Sequence, residues 1–273
     1  MRPRILTCVL LLLVFALSPV NVSAQEKGKA NEQSAGPTPA KDLKELRFKQ
    51  QSFTFVRIQY SSARAGVYPA WMIDFPDSDL NFTARFQKVT GLKCDPDGKV
   101  MALTNAALSQ FPFIYMVEGG QLRLNDAEVV ALHQYLSGGG FLMVDDFWGE
   151  SEWKAFSAQM KRVFPDRESV ELPMEHPIFH CFYELHEKPQ VPNVMLGIQS
   201  QHTGITWERE DAKQAHYRGL FDDRGRLMAI FCHNTDLGDG WEREGEDAYY
   251  YKEFSLKKAY PMGINIVVYA LSK

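Results

Sequence analysis

Four cysteines in 273 residues, none in a CxxC pair, leave no framework for a zinc finger or ribbon. There is no GxSxG or GxCxG elbow to present a nucleophile at a strand-to-helix turn. A phosphate-binding glycine loop is missing too. The one glycine run, Gly138-Gly139-Gly140, follows a helical pattern and precedes a strand pattern, the reverse of the order a dinucleotide or P-loop needs. His176 and His180 are four apart, but Pro177 between them and the lack of a glutamate exclude the HExxH arrangement. After residue 24 no run approaches the ~18 apolar residues of a membrane span. Basic charge is also scarce. Without residues 1–24, 28 Lys and Arg face 34 Asp and Glu, a net of −6. That balance excludes binding to a nucleic-acid backbone.

What is present begins with a leader. Arg2 and Arg4 precede a largely apolar stretch at 5–17, and Val22-Ser23-Ala24 supplies small residues for cleavage. This is the pattern of a secretory signal peptide, and it places the mature chain outside the cytoplasm, periplasmic or secreted. An uncleaved anchor is the alternative. A lipoprotein reading fails because Cys8 precedes most of the apolar run. The mature chain keeps Cys94, Cys181 and Cys232, an odd number, so at least one thiol lacks a partner within the chain. Whether two of them pair is open. Residues 25–42 hold no aromatic and no large aliphatic side chain and cannot offset the entropy of ordering. The expected organisation is a signal peptide at 1–24, a disordered tether at 25–48 and a single domain at 49–273.

The stretch 122–150 organises that domain. Asn125 or Asp126 caps a helix whose apolar stripe is Val129, Leu132 and Leu136; the glycines stop it. Then the apolar run FLMV at 141–144 reads as a strand covered on both faces, and Asp145 and Asp146 end it. Strands are also predicted at 53–60, 100–104, 111–117 and 170–172, and a hairpin at 219–234. Helices are predicted at 79–90, capped by Ser78, at 150–164 and at 259–271, where the Ile and Val content leaves strand as the alternative. The alternation predicts an α/β fold: a flavodoxin-like, mostly parallel sheet between helix layers, with an antiparallel hairpin added in the last third.

In such sheets ligands bind beyond the carboxyl ends of the strands. Two acidic segments are expected there. The first is Asp145-Asp146 with Trp148. Neighbouring strand residues point to opposite faces, so both acids serve one site only if the strand ends between them. Otherwise one is solvated and the other caps the next turn. The second is 233–242, with Asn234, Asp236, Asp239, Trp241 and Glu242, read as a loop folded around its glycines. Its spacing is not that of an EF-hand. Either it binds an ion or ligand, or it is an ordinary polar loop. Arg57, inside the first strand, is an edge residue or the basic partner of the acids. A divalent cation fits such donors. Tyr249, Tyr250 and Tyr251 are either a stacking face or strand residues packed on the core.

The segments FTFVRIQY, FPFIYMVEGG, GGGFLMVDDFWG, HPIF, RGRLMAIF, NTDLGDGWE and GINIVVYAL, in this order over about 52–272, resemble the bacterial family called domain of unknown function 4159. The resemblance implies a fold similar to class I glutamine amidotransferases, in exported or membrane-associated proteins. It implies no activity and no catalytic residues. The amidotransferase nucleophile has no counterpart, because Asp145 and Asp146 occupy the strand end. Glutaminase activity is therefore not expected. The leading function is a binding domain for a small molecule or an envelope protein, through an acidic, aromatic-rimmed cleft. The rivals are a hydrolase, metal-assisted or carboxylate-based, acting on envelope carbohydrate or peptide, and a structural scaffold.

Overall fold

The structure, a computed structural model, describes residues 52–63 and 68–272, which belong to one of the chain's two compact units, Ala35–Lys273. The leader and tether expected over residues 1–48 lie outside the described residues. The first half contributes β1 (Ser52–Phe53), β2 (Val56–Gln59), α1 (Asp77–Thr90), β3 (Lys93–Cys94), β4 (Lys99–Ala102), β5 (Phe113–Val117) and α2 (Asp126–Ser137). Next come β6 (Phe141–Asp145), α3 (Gly149–Val163), β7 (Val170–Glu171) and α4 (Val194–Thr203). The chain closes with β8 (His216–Phe221), β9 (Leu227–His233), α5 (Leu237–Glu242), α6 (Ala248–Tyr250), a π-helical stretch (Tyr251–Ala259) and α7 (Tyr260–Leu271).

Seven strands form the main sheet in the order β4-β2-β5-β6-β9-β8-β7; β1 and β3 pair separately. The five strands from β4 to β9 are parallel, and β8 and β7 are added antiparallel. This is the α/β sheet with an antiparallel last third that the alternation of patterns predicts. β6 lies at its centre, and Leu142 and Val144 are fully buried. Period-two alternation divides the core between the two faces. Phe113, Tyr115 and Val117 of β5 and Phe141 and Met143 of β6 pack with Ile264, Val267 and Val268 of α7. Ile114, Met116, Leu142 and Val144 pack with Leu132 and Leu136 of α2 and Phe156 and Met160 of α3.

Local chemistry sets the helix ends. Asn125 and Glu128 form a reciprocal capping box on α2. Gly91 closes α1 in the left-handed region, which glycine enters without steric cost. Ser78 does not cap α1: it lies inside the helix, and its hydroxyl accepts from Arg57.

Two other expectations change. Residues 237–242 are the helix α5, not loop. Gly238 and Gly240 serve close packing here, since a Cβ at these positions would collide with the Asp74 carboxylate and with Ala259. Residues 249–251 are helical. Tyr250 is buried and donates its hydroxyl to the Pro192 carbonyl, and Tyr251 accepts from Arg85. The helix α4 has no strong apolar stripe, and its pattern gives no warning of it. Cys94 and Cys232 are free thiols. Among the described residues no helix is long and apolar enough to cross a membrane.

Candidate functional site

The order of the strands places a crevice. From β2 the chain crosses to β4 on one side through α1, then returns to β5 on the other side of β2. Beyond the carboxyl ends of the strands around such a reversal, connecting loops part and leave room for a ligand. Among the described residues four non-glycine residues take left-handed backbone, and three of them directly follow strands there: Glu118 (φ 57°) after β5, Asp146 (φ 53°) after β6 and Asn234 (φ 62°) after β9. The fourth, Asp74 (φ 63°), lies in the connection from β2 to α1. Such conformations are uncommon outside glycine and concentrate where the surroundings enforce them.

Asp145 is the last residue of β6 and is fully buried. Its Oδ2 accepts from the Gly238 amide at 2.9 Å and the Tyr115 hydroxyl at 3.4 Å, while Oδ1 is buried with no partner. Burial pushes its pKa up to about 7 against these hydrogen bonds. The strand ends here, and the left-handed turn at Asp146 keeps the second acid at the same end of the sheet. Asp146 Oδ1 accepts from the Trp148 indole at 3.1 Å.

The second acidic segment meets the first. Carboxylate oxygens of Asp74, Asp146 and Asp236 lie within 4.8 Å of one another. A second group, Asp74, Asp239 and Glu242, obeys the same limit. Asp74 is common to both. It is half-buried as a residue, but its Oδ2 is closed off from solvent and has no hydrogen-bond partner. Burial, then the charge of Asp239, holds the Asp74 pKa well above the usual range. Burial and Glu118 do the same for Asp146; burial and Asp146 do so for Asp236. For scale, two charges 4.8 Å apart repel by about 3 kcal/mol at an effective dielectric of 20.

The other acids have structural duties. Asp236 caps α5 by accepting from the Asp239 amide at 2.7 Å. Asp239 accepts from the first amide of α4, Val194, at 2.6 Å, and burial raises its pKa to about 6. Glu242 pairs with Arg243 at 2.6 Å. Asn234 braces two loops, accepting from the Gly149 amide and donating to the Gln214 carbonyl. Trp241 is 0% exposed and packs on Phe82 and Tyr115, while Trp148 is 3% exposed. Neither tryptophan rims an opening, contrary to the expected aromatic rim.

Arg57 is no edge residue. β2 lies between β4 and β5, and the side chain is fully buried. It donates to Asp79 (2.6 and 3.0 Å), to the carbonyls of Trp71 and Ile73, and to Ser78. The guanidinium therefore holds the segment that presents Asp74, while its own ion pair goes to Asp79. A cavity of about 530 Å³ between residues 103–112 and the C-terminal end of α2 is lined by none of these acids.

Asp74 and Glu118 complete the cluster and were not singled out by sequence. Glu118 directly follows a strong strand and so had a signal. Asp74 is a lone acid in irregular chain and had none.

An α/β domain with acids converging on its strand ends is thus defined by fold and geometry. The chain belongs to the family described as Domain of unknown function (DUF4159), which matches residues 54–271. No curated protein matches it.

Proposed function

We propose that this is an exported binding domain whose ligand occupies the acidic strand-end site around Asp74, Asp146 and Asp236. The observation that carries this reading is the convergence of three carboxylates that no described cation pairs with. A scaffold would gain stability by neutralising them; a binding site keeps them for its ligand. The kinship to class I glutamine amidotransferase folds belongs to the same proposal, with acids at the strand end in place of a nucleophile. Export rests on the leader at 1–24, and N-terminal sequencing of the extracytoplasmic fraction should find Gln25 first; an intact Met1 would refute cleavage.

The test of the site is stability without ligand. Asp74→Asn and Asp146→Asn should each raise the melting temperature of the metal-free protein by roughly 2–4 °C, because each relieves repulsion worth about 1 kcal/mol net. A lower melting temperature for both variants would make the acids structural and put the scaffold reading first. Hydrolysis is the second reading, supported by Asp145, whose pKa of about 7 suits a general base at neutral pH. Turnover of an envelope carbohydrate or peptide that disappears in Asp145→Asn would establish it; turnover unchanged in that variant would remove Asp145 as the base.

A further inference from the structure

We propose that Asp74, Asp146 and Asp236 together hold one divalent cation of the hard, oxygen-preferring class: calcium, magnesium or manganese. The inference rests on the strand-end reading above and gives its occupant a chemistry.

The two acidic groups that share Asp74 differ in one respect. Asp239 and Glu242 are served by Arg243, whose Nε lies 3.6 and 2.6 Å from their oxygens. Asp146 and Asp236 have no ion pair with any described residue. The nearby arginine, Arg57, spends its hydrogen bonds on Asp79, Ser78 and two carbonyls. The fold thus supplies a cation to one group and none to the other.

An independent observation points the same way. The Asp74 carboxylate is shielded, and its Oδ2 has no donor. A buried carboxylate oxygen without a partner carries the full cost of its desolvation. Tyr115 lies close by, but its hydroxyl donates to Asp145. A cation between the three acids would satisfy Asp74 directly.

The remaining geometry is that of oriented ligands. One oxygen of Asp146 is fixed by the Trp148 indole, and one of Asp236 by the Asp239 amide. Each keeps its second oxygen available. The carboxylates of Asp74 and Asp236 are buried, and Asp146 is the half-buried member of the group. No histidine or cysteine belongs to it. Three carboxylates without nitrogen or sulfur select hard cations over zinc or copper. They supply three ligands, so water or a ligand's oxygens would fill the rest of a shell of six or more. That vacancy suits a domain that binds an oxygen-rich molecule through its metal.

The test is titration of the chelator-stripped full-length protein with calcium, magnesium, manganese and zinc chlorides, followed by calorimetry and thermal unfolding. One cation of the hard class should bind per chain and raise the melting temperature. Asp74→Asn and Asp236→Asn should each weaken binding at least tenfold, while Glu171→Gln, at the far edge of the sheet, leaves it unchanged. Circular dichroism shows whether the variants are folded. If one is not, the manganese electron paramagnetic resonance signal of the conservative Asp146→Glu variant replaces it, and it should differ from wild type. No binding by wild type, binding indifferent to all three positions, or preference for zinc would each overturn the proposal. Failure here with a raised melting temperature in metal-free Asp74→Asn would leave the binding site in place and remove only the metal.

Discussion

Carboxylates at the two sides of the sheet live under opposite rules. At the antiparallel edge, Glu171 of β7 takes Lys188, His216 and Arg218 as partners. Burial alone would raise its pKa, but hydrogen bonds from His216 and Lys188 outweigh it and hold the group at about 2. At the strand ends, desolvation and neighbouring like charges push Asp74, Asp146 and Asp236 all well up. Asp79, five residues from Asp74, likewise has a cationic partner, Arg57. Glu171 also differs from the cluster in being exposed, but Asp79 is as buried as Asp236, and there only the supply of positive charge separates the cases. The protein partners its acids where it needs only stability. Where it leaves them unpartnered, neutralisation should have the opposite sign.

That sign reversal can be tested at three positions. The largest effect belongs to Asp79→Ala, which strands the guanidinium of Arg57 in the core. Breaking a buried pair on one side costs about 3–5 kcal/mol, and urea unfolding should show it as a lower midpoint. A loss below about 1 kcal/mol would mean that Ser78 and the two carbonyls suffice for Arg57.

Asp145→Asn should go the other way and depend on pH. In the fold this group titrates near 7, and in the unfolded chain near ~3.9. The native state therefore holds the proton more tightly, and ionisation disfavours the fold. Wild-type stability should rise as pH falls from 8 toward 4, and the variant should show a smaller rise, carried by Asp74, Asp146, Asp236 and Asp239, whose pKa values are raised as well. At pH 8 the variant should be the more stable by about 2–4 kcal/mol. Equal pH profiles would show that Asp145 is ionised and satisfied.

The smallest effect is expected at the edge. Glu171 is half-exposed, so screening limits Glu171→Gln to a loss of about 1 kcal/mol or less at neutral pH. Because its folded pKa is depressed, that contribution should be present above about 4.5 and fade as pH falls toward 2. A stabilised Glu171→Gln would erase the contrast between the two sides.

Much of this architecture was legible before any coordinates. The continuous apolar run before Asp145, the capping box at Asn125 and the hairpin around 222–225 are local signals, and local signals survive folding. The two acidic segments were legible as strand ends by the same logic. The helix α5 was not, because LGDGWE carries two glycines and a turn-forming aspartate. Only the approach of Asp74 and Ala259 to those glycines explains them. Trp241 misled for a related reason: beside acids it reads as a rim residue, yet α5 turns it into the core. Asp74 was out of reach, since its role depends on a left-handed turn and on Arg57 gripping the carbonyls around it.

The strand β7 is only two residues long, Val170–Glu171, and it ends the sheet. An open edge invites another chain to add itself by backbone pairing, and sheets that grow this way aggregate. Here the invitation spans roughly 7 Å, two residues at about 3.3 Å each, too short to template a strand. The charges gathered on Glu171 oppose docking of an apolar segment as well. The ion cluster that stabilises the edge thereby also guards it, and replacing Glu171 with a β-branched apolar residue should show its first effect as lost solubility at high concentration.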